Sequence, residues 1–301
     1  MIKEIKLTNY INEEKTLYLN QPESSGFAIE KIDGLGPVKA NVITTNIANL
    51  DGAIFNSAHA NYRNVVFSIY FIGIPSIEDA RMSTYRWFPL KQKIKIRVKT
   101  DSRECECIGY VESNEPNIFS KKEKTTISII CPDPYLYSVT EKEVKFSATT
   151  PLFEFPFSNE SANEPLIKFA EYQSKKRESL NYEGDFETGI NINIHITGPV
   201  TDITIYHINT SKSLKIDSAK LASLTGSGLD NGDNIYINTK NGEKSIYLLR
   251  NGDYTNILNC LDKNPEWFQL QKGNNEFAFA SVSGEEFIEL NISYKDAYEG
   301  V

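Results

Sequence analysis

The residues able to do chemistry are few. His195 and His207 fall inside adjacent strand-like runs, and with a carboxylate such as Asp202 they have the types needed for a metal site or an acid–base pair. Set within alternating runs, they read as ordinary sheet residues, and His59 stands apart from both. Gly34-Leu35-Gly36 looks like the start of a phosphate loop. Pro37 follows at once and removes a backbone donor where a phosphate cradle needs one, so a turn or bulge is expected. Cys105, Cys107, Cys131 and Cys260 are too scattered for a disulfide framework, and Cys-Glu-Cys is not the C-x-x-C spacing of a zinc knuckle. Buried, reduced thiols are the expected state. Neither G-x-S-x-G nor the P-loop pattern occurs. Carboxylates are plentiful, but no two of them stand out as a glycosidase pair. No catalytic residue, cofactor or metal ligand is assigned, and a protein that is not an enzyme is expected.

Two surfaces suggest binding instead. Tyr236, Tyr247, Tyr254 and Trp267, with Phe268, have the flat rings of a stacking platform for sugars, against the plainer role of core packing or interface anchoring. Lys93, Lys95, Arg97 and Lys99 make one basic strand face. The whole chain weighs against nucleic acid as its partner: 32 Lys and Arg against 40 Asp and Glu give a net charge of -8, the wrong sign for binding driven by phosphate neutralisation. At 40% hydrophobic and 24% charged residues the composition is that of a folded protein, and 301 residues suit two domains. The first residues lack the apolar core of a signal peptide, and no run nears the ~20 apolar residues that span a bilayer. A soluble protein made in the cytoplasm and away from membranes is expected.

The elements that must carry these residues are mostly strands. In 92–99, Ile94, Ile96 and Val98 alternate with the basic residues, and after a break at 100–102 the run 103–111 returns. Pairing these as a hairpin sets the basic face against Glu104 and Glu106 and the apolar face against Cys105 and Cys107. Such a face is solvated and self-compensated. Further strands are expected at 63–72, 124–131, 143–149, 189–197, 201–209, 234–239, 244–249, 275–282 and 287–294. The dipeptides Asn231-Gly232, Asn241-Gly242 and Asn251-Gly252 supply tight turns. One helix is expected near 76–88: Pro75-Ser76 opens it, Asp79 takes the capping-box place, Ile77, Arg81, Tyr85 and Phe88 recur at helical spacing, and Pro89 ends it. The stretch 172–185 reads as a loop. A boundary falls near 140, after the prolines of Cys131-Pro132-Asp133-Pro134. The expected fold is mainly β, with an α+β domain over 1–140 and a β-sandwich over 141–301.

Several segments together resemble the distal tail proteins of long-tailed phages. They are Ile32-Asp33-Gly34-Leu35-Gly36-Pro37-Val38-Lys39-Ala40, Leu50-Asp51-Gly52, Arg63-Asn64-Val65-Val66, the run 81–89, Gly109-Tyr110-Val111-Glu112, Glu115-Pro116-Asn117-Ile118-Phe119-Ser120 and the run 127–135. Trp267-Phe268-Gln269-Leu270, Gly273-Asn274-Asn275 and Tyr298-Glu299-Gly300-Val301 resemble the family's closing strands. The resemblance implies a hexameric ring joining tail tube to baseplate around a channel that passes DNA without specific binding. It also implies a galectin-like or carbohydrate-module-like sandwich outside the ring. Implied partners are further copies of the chain, the tail-tube protein, the tail-associated hub protein and, in some phages, receptor-binding proteins. The implied place is the tail tip of a virion, assembled in the bacterial cytoplasm; a tail-derived bacteriocin carries an equivalent ring. On this reading Val65, Phe67, Ile69, Ile94, Ile96 and Val98 are the candidate ring interface. Tyr236, Tyr247, Tyr254 and Trp267 are candidate saccharide or partner contacts, a saccharide-binding module being the alternative function.

Overall fold

Period-two alternation, with one face of each strand apolar, dictates most of the architecture. The computed structural model describes residues 1–48, 51–73, 76–120, 122–151 and 170–301. Pro75 and Leu50, named above, lie outside them. The chain is mainly β and divides into two compact units, Met1–Thr140 with Ala297–Val301, and Glu141–Asp296.

The first unit runs β1 (Glu4–Thr8), β2 (Glu14–Tyr18), β3 (Phe27–Asp33), β4 (Ala40–Thr45), β5 (Ile54–Ala60), β6 (Arg63–Phe71), α1 (Ile77–Trp87), β7 (Lys93–Lys99), β8 (Glu104–Asn117), β9 (Lys124–Cys131) and β10 (Leu136–Ser138). Its main sheet has the order β2-β1-β7-β8-β9-β6-β3, and β10 pairs with β8 and with the returning strand Ala297–Tyr298. The β7–β8 register is the expected one: Arg97 lies opposite Glu106, Lys99 opposite Glu104, Val98 opposite Cys105 and Ile96 opposite Cys107. The apolar face continues across neighbouring strands, with Ile5 beside Val98 and Phe67 beside Ile127. α1 covers part of that face. The Ser76 side chain accepts from the Asp79 N–H as the N-cap, and Phe88 at the C-terminal end meets Phe67 with ring centroids 6.2 Å apart. The packed stripe is Ala80, Thr84 and Phe88, whereas Ile77 and Tyr85 of the expected stripe are exposed. Arg81 is held by Glu123 at 3.1 Å.

The second unit contains β11 (Lys142–Lys145), β12 (Ser147–Pro151), β13 (Ala170–Ser174), β14 (Arg177–Tyr182), β15 (Asn191–Ile196), β16 (Thr201–His207), β17 (Lys212–Ile216), α2 (Ser218–Thr225), β18 (Asn234–Asn238), β19 (Ser245–Arg250), β20 (Asp253–Asn256), β21 (Gly273–Ser283) and β22 (Ile288–Tyr294). A six-stranded sheet, β11-β22-β15-β18-β19-β20, and a four-stranded sheet, β14-β21-β16-β17, share one apolar core; β12 and β13 pair separately. Ile192, Ile194, Ile235, Ile237, Leu290 and Ile292 supply the first sheet's share. Asn251-Gly252 makes the two-residue turn between β19 and β20, both residues having positive φ.

Three expectations need correction. The single strand over 143–149 is two, β11 and β12. The loop assigned to 172–185 holds the end of β13 and all of β14, whose polar sequence buries only Leu180 and Tyr182. The second half also contains a helix, α2, capped by Asp217 at its start and by Gly226 at φ 83° at its end. Only Leu221 of it is buried, which leaves no apolar periodicity to read.

Candidate functional site

The six residues expected at a ring interface are placed elsewhere. Val65, Phe67, Ile69, Ile94, Ile96 and Val98 are all buried in the first unit's own core. β6 is paired on both sides, by β9 and β3, and β7 by β1 and β8, so neither strand has a free edge. Alternation reported burial correctly, but the burial is within the subunit.

What the first unit presents outward is β4 and β5. They form a two-stranded antiparallel arm, and every residue of both strands is exposed. Val42, Ile43, Ile54 and Phe55 stand on it, Phe55 at 63% exposure, with Ile47 and Tyr62 exposed beside them. An isolated two-stranded hairpin is marginal in water, and contiguous exposed apolar side chains mark association surfaces. The main sheet ends in edges at β2 and β3. The β2 end carries exposed Tyr10, Ile11, Tyr18 and Leu19. The basic face of β7 is compensated: Arg97 and Lys95 lie 3.4 and 3.6 Å from Glu106, and Lys99 lies 3.8 Å from Glu4.

In the second unit, Tyr236 and Tyr247 are register partners on the outward face of the six-stranded sheet. They line a groove of about 500 Å³ together with Asn191, Asn193, Asn238, Asn291, Glu141 and Glu143. The Tyr254 ring lies 6.2 Å from that of Tyr236, extending the aromatic surface. Trp267 does not join them. It sits half-buried at another hollow with Lys220, Lys244 and Lys263, and Lys244 Nζ lies 5.8 Å above its ring. The asparagines were not singled out from the sequence, although the run Asn191-Ile192-Asn193-Ile194 carries the signal: isoleucines go inward, so asparagines must face out.

The histidines do not meet. His195 belongs to β15 in the six-stranded sheet, with Nδ1 2.9 Å from Asn234 Oδ1. His207 ends β16 in the other sheet, fully buried and stacked on Phe277 at 4.5 Å, and burial pushes its pKa down. Asp202 accepts from the Ser218 N–H at 2.8 Å and pairs with Lys215 at 3.0 Å. Among the described residues no cluster of His, Cys, Asp and Glu has the geometry of a metal site.

Arg63 is the other unusual feature. It is 1% exposed and spends its donors on backbone carbonyls: Nε on Pro134 at 2.9 Å, Nη1 on Gly34 and Gly36, and Nη2 on Glu299 at 2.8 Å. Burial pulls its pKa down from the ordinary guanidinium value. Gly34 has φ 86°, and a Cβ there would lie 1.9 Å from the Asn64 carbonyl oxygen. The Gly34-Leu35-Gly36 run is therefore a carbonyl-donating turn around an arginine.

Residues 183–298 match the family model described as the siphovirus-type tail component, C-terminal domain. No curated protein matches the sequence. Among solved structures, the SPP1 Dit protein, described as a paradigm of the hub adsorption apparatus in phages infecting Gram-positive bacteria, aligns with a TM-score of 0.64. The alignment has 13% identity and covers 97% of this chain and 98% of that one. A chain of the phage P2 baseplate in its activated conformation with Ca aligns with a TM-score of 0.49 and 12% identity over 100% of both chains. The likeness to SPP1 Dit is one of fold. A two-unit β protein with an exposed arm and a matched tail-component domain is a structural component of a phage tail. Through residues 183–298 the chain resembles the siphovirus-type tail components.

Proposed function

We propose that copies of this chain close into a hexameric ring at the tail tip, joining the tail tube to the baseplate around a channel. The arm of β4 and β5 carries the reading, because it is a folded element that buries nothing of its own. A second copy is the occupant that completes it. Each chain presents both halves of a head-to-tail contact: the apolar arm, and a sheet edge at β2 flanked by exposed Tyr10, Ile11, Tyr18 and Leu19. A heterologous contact of this kind, repeated with a fixed rotation, closes into a ring. It also covers edges that would otherwise recruit unrelated strands.

The net charge of -8 supports a channel that passes DNA without holding it, since like charge disfavours phosphate. In this arrangement the tail-tube protein meets one face and the tail-associated hub protein the other. Receptor-binding proteins dock outside, and assembly takes place in the host cytoplasm. Light scattering and negative-stain microscopy of the purified full chain test the ring. Annular particles with a central hole are expected, and a chain that stays monomeric at high micromolar concentration overturns the proposal.

A further inference from the structure

We propose that the outward face of the six-stranded sheet is a binding site for a neutral saccharide, centred on Tyr236 and Tyr247 and floored by Asn193 and Asn291. Four successive strands place these residues in one row. Asn291 of β22 lies opposite Asn193 of β15, Asn193 opposite Tyr236 of β18, and Tyr236 opposite Tyr247 of β19. The next row runs through Ser293, Asn191, Asn238 and Ser245. Across these four strands neither row contains a charge; at the edge strand β11 the first row ends in Lys145 and the second in Glu143. The central strands of this face therefore differ from β7 and β8, which turn Lys and Arg outward against Glu. A face that only had to be wet would be satisfied by such ion pairs.

Two atoms say that the face wants something. Asn193 Oδ1 and Asn291 Oδ1 are buried and have no hydrogen-bond partner. Asn291 uses its amide donor on Glu143, and its oxygen remains an acceptor without a donor. Buried polar groups are almost always paired, and each exception calls for a partner. Both residues line the groove of about 500 Å³, within the range of small-ligand sites. The missing donors fit hydroxyl groups.

The surrounding groups narrow the class. Tyr236 and Tyr247 are 37% and 38% exposed and offer ring faces to the apolar side of a sugar, and Tyr254 extends that surface. At one end of the groove Glu141 and Glu143 already accept from Ser293 and Asn291 and add acceptor oxygens. Acceptors and carboxylates favour a ligand rich in hydroxyl donors and oppose a polyanion such as a phosphate-linked polymer. The site stands on unit-two geometry alone and does not depend on the ring.

The test is titration of the full chain by saturation-transfer NMR and calorimetry. The probes are neutral hexose and N-acetylhexosamine oligosaccharides, with a glycerol-phosphate polymer as the anionic arm. Saturable binding of at least one neutral oligosaccharide in the millimolar range or tighter is expected. Tyr247→Ala and Asn193→Ala should each weaken it by about tenfold or more. Tyr254→Ala, at a ring 67% exposed and clear of the core, tests the same face where Tyr247→Ala disturbs folding. Trp267→Ala should leave affinity unchanged. Failure of every neutral probe to saturate, preference for the anionic polymer, or loss of binding in Trp267→Ala but not in the tyrosine variants overturns the proposal.

Discussion

Arg63 Nη2 donates to the carbonyl oxygen of Glu299 at 2.8 Å, joining the start of β6 to residues near the end of the chain. The same guanidinium holds the carbonyls of Gly34, Gly36 and Pro134. Three motifs far apart in sequence, Gly34-Leu35-Gly36-Pro37, Cys131-Pro132-Asp133-Pro134 and Tyr298-Glu299-Gly300-Val301, thereby become one structure around one side chain. Arg103 reinforces it, lying 4.3 Å over the Tyr298 ring and donating to the Gly300 carbonyl at 3.2 Å. A buried charge satisfied wholly by backbone dipoles works as a clasp, because no other residue type supplies that many donors in a rigid plane.

Arg63→Ala should therefore destabilise the first unit by about 3–5 kcal/mol, since it strips donors from buried carbonyls and leaves a cavity. Deleting residues 297–301 should act in the same direction. The chain has two tryptophans, Trp87 in the first unit and Trp267 in the second. In a Trp267→Phe background, Trp87 fluorescence during urea unfolding reads the first unit alone. A midpoint unchanged in Arg63→Ala would contradict the clasp.

Gly34 and Gly36 form a matched pair. Gly34→Ala forces a Cβ onto the Asn64 carbonyl and a side chain into positive φ, for an expected loss of about 2 kcal/mol or more. At Gly36 nothing lies within 4 Å of an added Cβ, so Gly36→Ala should change stability by less than about 1 kcal/mol. The difference between the two midpoints is the measurement.

Legibility followed burial. The β7–β8 hairpin was readable to the residue because each strand hides one face and pairs opposite charges on the other. β1 and β2 are only five residues each, with Ile5 and Leu7 the whole buried alternation of β1 and Leu17 alone buried in β2, and β4 and β5 bury nothing, so too little apolar period announces them. Val65 and Ile96 show the complementary limit: alternation reveals that a side chain is hidden, not whether its own subunit or a neighbour hides it. The tyrosines of the groove were legible as aromatic residues in strands. Their asparagine floor, and the exclusion of Trp267, required knowing which strands are neighbours.

Cys105 gives a pH dependence. Burial pushes its thiol up to about 11, well above the unfolded value of roughly 8.5. The folded-state pKa is the raised one, so its contribution to stability is full below the unfolded pKa and is lost as pH rises toward 11. Urea midpoints measured between pH 8 and 11 should fall for the parent and fall less steeply for Cys105→Ala. At pH 8 the folded protein should leave Cys105 unreactive toward a thiol reagent that labels it rapidly in urea.

Asp233 and Arg250 test the second unit. Asp233 is 3% exposed and accepts two hydrogen bonds from the Arg250 fork, at 2.8 and 2.6 Å, while the same guanidinium also donates to the Gly228 carbonyl at 2.6 Å. Removing the buried carboxylate takes two charge-assisted hydrogen bonds from a partly exposed guanidinium that keeps Gly228, so Asp233→Ala should cost about 2 kcal/mol. Arg250→Lys should recover little, because a point charge cannot reproduce the fork. Trp267 fluorescence in a Trp87→Phe background follows this unit.

The arm predicts a separation of assembly from stability. Phe55 is 63% exposed on β5, and Val42 is 56% exposed on β4. Neither side chain is buried in the folded subunit, so Phe55→Asp and Val42→Asp should leave the unfolding midpoint within about 0.5 kcal/mol of the parent. In a ring the same positions would be desolvated against a neighbour, where an unpaired carboxylate costs several kcal/mol per contact. Sedimentation velocity should then show parent rings and variant monomers at the same concentration. If both variants still sediment as rings, the arm is not the joint, and another surface such as the β3 edge must close the circle.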